Sequence, residues 1–463
     1  MAPVVTGETG LTGALLDRVA RPADAADLDR AALHLLDWLG CALAASTEHL
    51  GRALADWGGA EASRGESSAI GLGPTGAATA AFVNGGLGNL LEMDDLHRPS
   101  ILHAGDVVVP AALAAAQAAG IGGPGLLHAI LAGYEVALRI GQAAAAQGYS
   151  GWYNSSSCGV FGAAVAAAQA GGLGREASLD ALGHAGMQAA GLWQCRLEPT
   201  DSKQIAAAHA ARAGVTAAAL AARGLRGPRA ILEGRLGFFA TLYPGAEPEA
   251  VLDRPDAGWL LHEVSFKPWP ACRHTHPAIA AALALRGKLA DGSPLRIELR
   301  TYDAAIDFCD NPHPASDHEA RFSLQHAVAA ALLRGAPALA DSGAAARQDA
   351  AIQALRARVR VQACPEASAA FPPLMSATLD VIDAAGQHHQ ADCPSAPGDP
   401  EDPLSPAQIA TKFETNASVA GLSRQAAQTL AGAALALPRS PEATSFYHLL
   451  AKAAVPARQG ELT

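Results

Sequence analysis

Nothing in this chain resembles a basic stripe: 33 lysines and arginines face 44 aspartates and glutamates, for a formal charge of -11. Phosphate backbones are bound through clustered cations, so a nucleic-acid partner is excluded. The seven cysteines, Cys41, Cys158, Cys195, Cys272, Cys309, Cys364 and Cys393, form no CxxC pair. That spacing argues against a structural zinc site, a cluster-binding run and a disulfide framework, and fits a reducing, cytoplasmic setting. The start of the chain has no basic segment leading into an apolar core, so secretion is not expected; it reads as a capped amphipathic helix. From Val107 to Tyr134 no residue is charged, which raises a membrane reading. Alanine and glycine supply much of that stretch, and GGPG at 122–125 interrupts it, so two short buried helices are expected, the first opened by Pro110.

Strand signals are nearly absent as far as about Gly237. Alanine-rich runs such as LLHAILAGYEVALRIGQAAAAQ predict helix after helix, packed closely because so many positions are Ala or Gly. After Trp259 the pattern changes. Residues 295–302, 357–364, 376–383 and 388–393 alternate or carry β-branched side chains, with AAGQ at 384–387 as a hairpin turn. A stretch dense in Pro, Gly and Asp near residue 400 ends this module, and the tail returns to helix. The expected fold is therefore mostly α with an α+β part: a large all-helical domain (1–262 and 396–463) carrying an inserted α+β lid domain (263–395). At 463 residues the chain is long enough for two cores.

What is present is concentrated. EMDDLHRPSILH (92–103) holds three carboxylates, an arginine and two histidines in twelve residues, in a loop between a helix ending near Leu91 and the next. It is either a capped, solvated helix end or a site. GWYNSSSCGVFG places Ser155, Ser156 and Ser157 at a helix start, where hydroxyls and amides suit an anion or simply cap. Lys203 stands near the start of a nearly uncharged helix. FKPWPACRHTH sets Lys267, Arg273, His274 and His276 on a segment that two prolines keep extended. Cys272, His274 and His276 could instead hold zinc together with His97, His103 or an Asp, though no zinc signature is matched.

Together, VNGGLGNLLEMDDLH, HAGDVVVPAALA, GVFGAAVAAA, SKQIAAAHAARAG, FKPWPACRHTHPAI and EARFSLQHAVAAALL resemble the MmgE/PrpD family nearly end to end. The resemblance implies homodimeric enzymes that bind polycarboxylates in a cleft between domains without metal or cluster, so no cofactor is expected. It places the acidic loop on Glu92, Asp94 and Asp95, the loop histidine on His103, the active-site lysines on Lys203 and Lys267, and the lid-edge histidine on His276. The chain departs from the family pattern at Glu92, Met93 and Leu96, at Tyr153 and Ala206 where histidines are usual, and at His326 where tyrosine is common. The expected function is a metal-independent lyase, of dehydratase or decarboxylase type, acting on a small di- or tricarboxylic acid by α-proton abstraction. An epimerase on the same scaffold and a non-catalytic polycarboxylate-binding relative are the alternatives. His103 is expected to transfer the proton with Asp94 or Asp95 orienting it, and His276 to act as a second acid or base. Lys203, Lys267 and Arg273 would stabilise charge, and Glu92, His97, Tyr153, Ser155 and His326 would line the substrate.

Overall fold

The computed structural model describes residues 10–61, 63–198, 200–290 and 294–455. Its residues divide into two compact units. The first holds the described residues up to Leu90, Asp94–Val264 and those from Ser405 onward; the second holds Leu91–Met93 and Ser265–Leu404. The fold is mostly α with an α+β part.

The first unit is built from long alanine-rich helices, chiefly Ala25–Ala45, Gly105–Ala119, Gly123–Ala144, Gly159–Ala170 and Ser202–Ala221. Asp24 opens the first of these with a reciprocal capping box to Asp27. Low side-chain volume lets the axes approach. A Cβ added at Gly133 would lie 2.8 Å from the carbonyl oxygen of Gly162 on the neighbouring helix and 2.5 Å from Val108. The backbones of Gly123–Ala144 and Gly159–Ala170 thus touch without intervening side chains, a contact only glycine permits. Among the described residues no helix is long and apolar enough to cross a membrane.

Two expectations fail here. Pro110 does not open a helix: the helix starts at Gly105 and carries Pro110 inside it. A proline in the second turn costs one backbone bond, the one an N–H there would make to the Asp106 carbonyl, while Val108 N still donates to the Ala104 carbonyl at 2.9 Å. The preceding helix ends at Gly85, not near Leu91, and residues 86–104 form turns with a bridge between His97 and Leu102. Ser67–Ala69 and Gly73–Thr75 also form a small antiparallel hairpin, too short to leave an alternating pattern.

The second unit contains a four-stranded sheet in the order Val359–Ala363, Arg296–Thr301, Ala377–Ile382, His388–Cys393. The first pair is parallel and the others antiparallel. Ile297, Leu299, Leu379 and Val381 point to one face, covered by the helices His276–Leu285 and Leu324–Arg334. That alternation is what the sequence pattern reads. AAGQ makes the turn between the last two strands, closed by the bond from Asp383 N to the Gln387 carbonyl.

Candidate active site

The turns of 86–104 bring the acidic loop of the first unit inside rather than into solvent. Asp94, Asp95 and His97 are buried, while the His103 side chain keeps 13% exposure. His103 Nδ1 lies 2.7 Å from Asp94 Oδ2 and 2.9 Å from the Asp95 carbonyl oxygen. Asn89 Nδ2 donates to Asp94 Oδ1 at 2.9 Å, so the carboxylate is fixed from both sides. Ser155 Oγ accepts the backbone N–H of His103 at 3.0 Å. One edge of the imidazole is anchored, the arrangement that sets tautomer and orientation in acid–base histidines.

Asp95 turns the other way. Its Oδ2 accepts from His34 Nδ1 at 2.7 Å and from the Tyr134 hydroxyl at 2.6 Å, and its Oδ1 from Gly105 N at 3.0 Å. Burial raises its pKa, but the bonds from His34 and Tyr134 outweigh it and leave Asp95 below the usual carboxylate range. Asp95 thus pins the loop to the helices Ala25–Ala45 and Gly123–Ala144, and it orients His103 through its carbonyl, not its carboxylate.

Burial pushes His34 down to about 4, against the pull of Asp95. A base depressed in the folded state adds stability that is present above its unfolded value of 6.5 and lost as pH falls toward 4. Between those limits wild type is expected to lose about 1.4 kcal/mol more per pH unit than His34→Asn, up to the extent of the shift. Urea unfolding of both proteins at pH 7 and pH 5 measures the difference, and parallel losses would refute a neutral buried His34.

A second buried pair backs the same region. Lys412 Nζ donates to Asp37 Oδ1 at 2.6 Å. Burial raises Asp37 to about 6 even with that lysine beside it. His34, Tyr134, Asp37 and Lys412 were not among the sequence candidates. His34 and Asp37 are the polar positions of the run AALHLLDWLGCALAAS, but nothing local names their partners.

Lys203 occupies the second position of the helix Ser202–Ala221, and Asp201 caps it without a side-chain bond. The serines are spent on structure. They belong to a separate short helix, Asn154–Ser157; Ser156 Oγ donates to the Ala206 carbonyl at 2.9 Å and Ser157 Oγ meets the Tyr243 hydroxyl at 2.7 Å. These hydroxyl contacts brace the corner where the short helix meets its neighbours. Tyr153 is buried with its ring 4.7 Å from that of Trp193. His97 is likewise internal, with Nδ1 2.9 Å from Ser100 Oγ. It closes the loop on itself, and burial drives it down to about 4.

In the second unit Lys267 and Glu92 form a buried pair, Nζ to Oε2 at 3.3 Å, with Lys267 0% and Glu92 2% exposed. Glu92 has φ 55°, a left-handed conformation that non-glycine residues adopt at a cost of about 1–3 kcal/mol. The lysine of this extended segment is thus desolvated. Replacing it alone would remove this charge partner of a buried carboxylate.

Arg273 and His276 are held internally. Arg273 pairs with the buried Asp399 and donates to the Ala396 carbonyl at 3.2 Å, while Ser265 Oγ donates to Asp399 at 2.6 Å. His276 Nδ1 lies 3.2 Å from Arg273 Nη1 and its Nε2 3.1 Å from the Ala271 carbonyl oxygen. These bonds brace Arg273 against the 395–399 turn. His326 Nε2 reaches the Asp341 carbonyl oxygen at 2.6 Å, tying its helix to the next segment. All seven cysteines are free thiols. Among the described residues no group of three or more His, Cys, Asp or Glu could hold a metal, so the Cys272–His274–His276 grouping is not a ligand set.

Comparison with known proteins bears on what these groups serve. The MmgE/PrpD N-terminal domain model matches residues 19–251 and the MmgE/PrpD C-terminal domain model residues 269–437. The chain belongs to the MmgE/PrpD family. A mouse cis-aconitate decarboxylase is 30% identical over 360 residues, 73% of this chain and 71% of that protein. The human cis-aconitate decarboxylase is 33% identical over 275 residues, 55% of each chain. An Aspergillus terreus cis-aconitate decarboxylase is 29% identical over 231 residues, 47% of this chain and 46% of that protein. The match to the human relative thus spans about half of its length.

Proposed function

We propose that this member of the MmgE/PrpD family is a lyase that decarboxylates a cis-aconitate-like tricarboxylic acid. The observation that carries the reading is the Asp94–His103 pair at 2.7 Å, in a segment shared with the family. Loss of CO₂ from an allylic carboxylate leaves its bonding electron pair delocalised onto the neighbouring unsaturated carboxylate. A general acid then protonates the far carbon of that system. His103, oriented by Asp94, is assigned that proton transfer. Lys203 and Lys267 are assigned the developing negative charge, because preorganised cations in dry surroundings stabilise it most. The same residues would support α-proton abstraction and loss of a β-hydroxyl, so dehydration is the neighbouring chemistry.

The family homodimer is part of the proposal, and Met187, Leu192, Leu197 and Leu236 expose apolar side chains suited to a protein contact. The test of the activity is incubation with cis-aconitate and a panel of citrate-like acids, following CO₂ release and the ultraviolet absorbance of conjugated double bonds. CO₂ from cis-aconitate supports the decarboxylase; a new double bond without CO₂ from hydroxy acids moves the assignment to dehydration. Inversion of a stereocentre without either product favours the epimerase. Binding of several acids with turnover of none removes the catalytic reading in favour of a binding protein.

A further inference from the structure

We propose that Asp106 is a positioning residue for the Asp94–His103 pair: a buried carboxylic acid that donates its proton to Asp94 and presents Asp94 to His103 as a fixed carboxylate. The positioning role rests on the catalytic reading of His103. Asp106 lies in the first turn of the helix Gly105–Ala119 and is 0% exposed. Neither of its side-chain oxygens accepts a bond from a protein N–H or O–H. A buried carboxylate without donors is costly, and the neighbouring carboxyl of Asp94 acts on it both by charge and by hydrogen bonding. Two such groups cannot both ionise in contact, so one proton belongs to the pair.

Asp94 is the member that keeps the charge. It already faces Asn89 Nδ2 at 2.9 Å and His103 Nδ1 at 2.7 Å, whereas Asp106 has no donor to balance a charge. The elements packed around Asp106 bring Asp94 and Asp95 from the loop, Lys203 from Ser202–Ala221, Cys41 from Ala25–Ala45 and Tyr134 from Gly123–Ala144. The helices Ala77–Gly85 and Gly159–Ala170 contribute no titratable side chain. Burial first, then Asp94 and Asp95, raise Asp106 well above its ordinary value, with Lys203 opposing. Space for the neutral carboxyl is provided by Gly88: a Cβ there would collide with Asp106 Oδ1 and lie 2.7 Å from Trp38 Nε1.

Infrared spectra of wild type and Asp106→Asn at neutral pH test the protonation directly. The expected difference is a protonated-carboxyl C=O stretch present in wild type and missing from the variant; its absence from wild type overturns the proposal. Kinetics on cis-aconitate test the positioning. Asp106→Ala is expected to lower kcat about tenfold or more with KM nearly unchanged, part of the ~10²–10⁴-fold that a positioned acid or base supplies. Asp106→Asn, which keeps an N–H donor toward Asp94, is expected to recover most of that loss. An Asn variant as impaired as the Ala variant would overturn the donated bond. Wild type inert toward every acid would defeat the lyase reading, while the spectra would still decide whether Asp106 is neutral. Should Asp106→Ala not fold, the Asn variant carries both measurements.

Discussion

His103→Gln is expected to lower kcat on cis-aconitate by about 10²–10⁴-fold while leaving KM and folding close to wild type. Glutamine keeps a polar group of similar reach but cannot exchange a proton near neutral pH. The side chain is 13% exposed, so its replacement leaves no deep cavity. Its Nδ1 edge is taken by Asp94 and the Asp95 carbonyl, which leaves Nε2 as the nitrogen able to trade protons with a bound acid. A loss confined to kcat marks an interaction made in the transition state, whereas a rise in KM alone would mark ordinary binding. Steady-state kinetics across several citrate-like acids separates the two. A variant within a few-fold of wild type on every substrate would move proton transfer to another residue.

The second large effect concerns Lys267. Removing one partner of a buried ion pair costs about 3–5 kcal/mol, because the remaining charge stays desolvated after losing that attraction. Lys267→Met is therefore expected to destabilise the protein by that order and to abolish turnover. Glu92→Gln combined with Lys267→Met removes both charges, and its unfolding midpoint in urea is expected to return most of the way to wild type. Turnover is not expected to return with it. The split between recovered stability and unrecovered activity distinguishes a charge needed for chemistry from one needed for folding. Full activity in the stable double variant would show that Lys267 serves the fold alone. Equal stability of the single variant and wild type would contradict the buried pair itself.

Much of this molecule is legible in its residues because the signals are local. Four strands lie within a residue or two of where alternation places them, since alternate positions face a core that helices cover. The density of titratable groups at 92–103 marks the acidic loop. The remainder depends on partners far away in the chain. Asp95 meets His34 from 61 positions earlier and Tyr134 from 39 later, and Lys412 meets Asp37 from 375 positions away. Periodicity tells which face of a helix a residue occupies, not which side chain awaits it. The same limit applies to Arg273 and Ser157, whose types suit an anion but which also contact a turn and a tyrosine far away in the chain. Lys267 misleads in the opposite direction. Just before Pro268 and Pro270 it reads as part of a rigid, extended edge, and burial beside Glu92 is decided by the tertiary fold.

The backbone contact between Gly133 and Gly162 bears on how such a protein can acquire new substrates. Where helices touch main chain to main chain, no side chain can shrink to make room, and any that grows forces the axes apart. The alanine helices are a frame of nearly constant dimensions. Variation that reshapes a binding site without unfolding the unit is therefore channelled into the segment 86–104 and the first turns of the helices it meets. Glu92, Met93 and Leu96 lie in that segment.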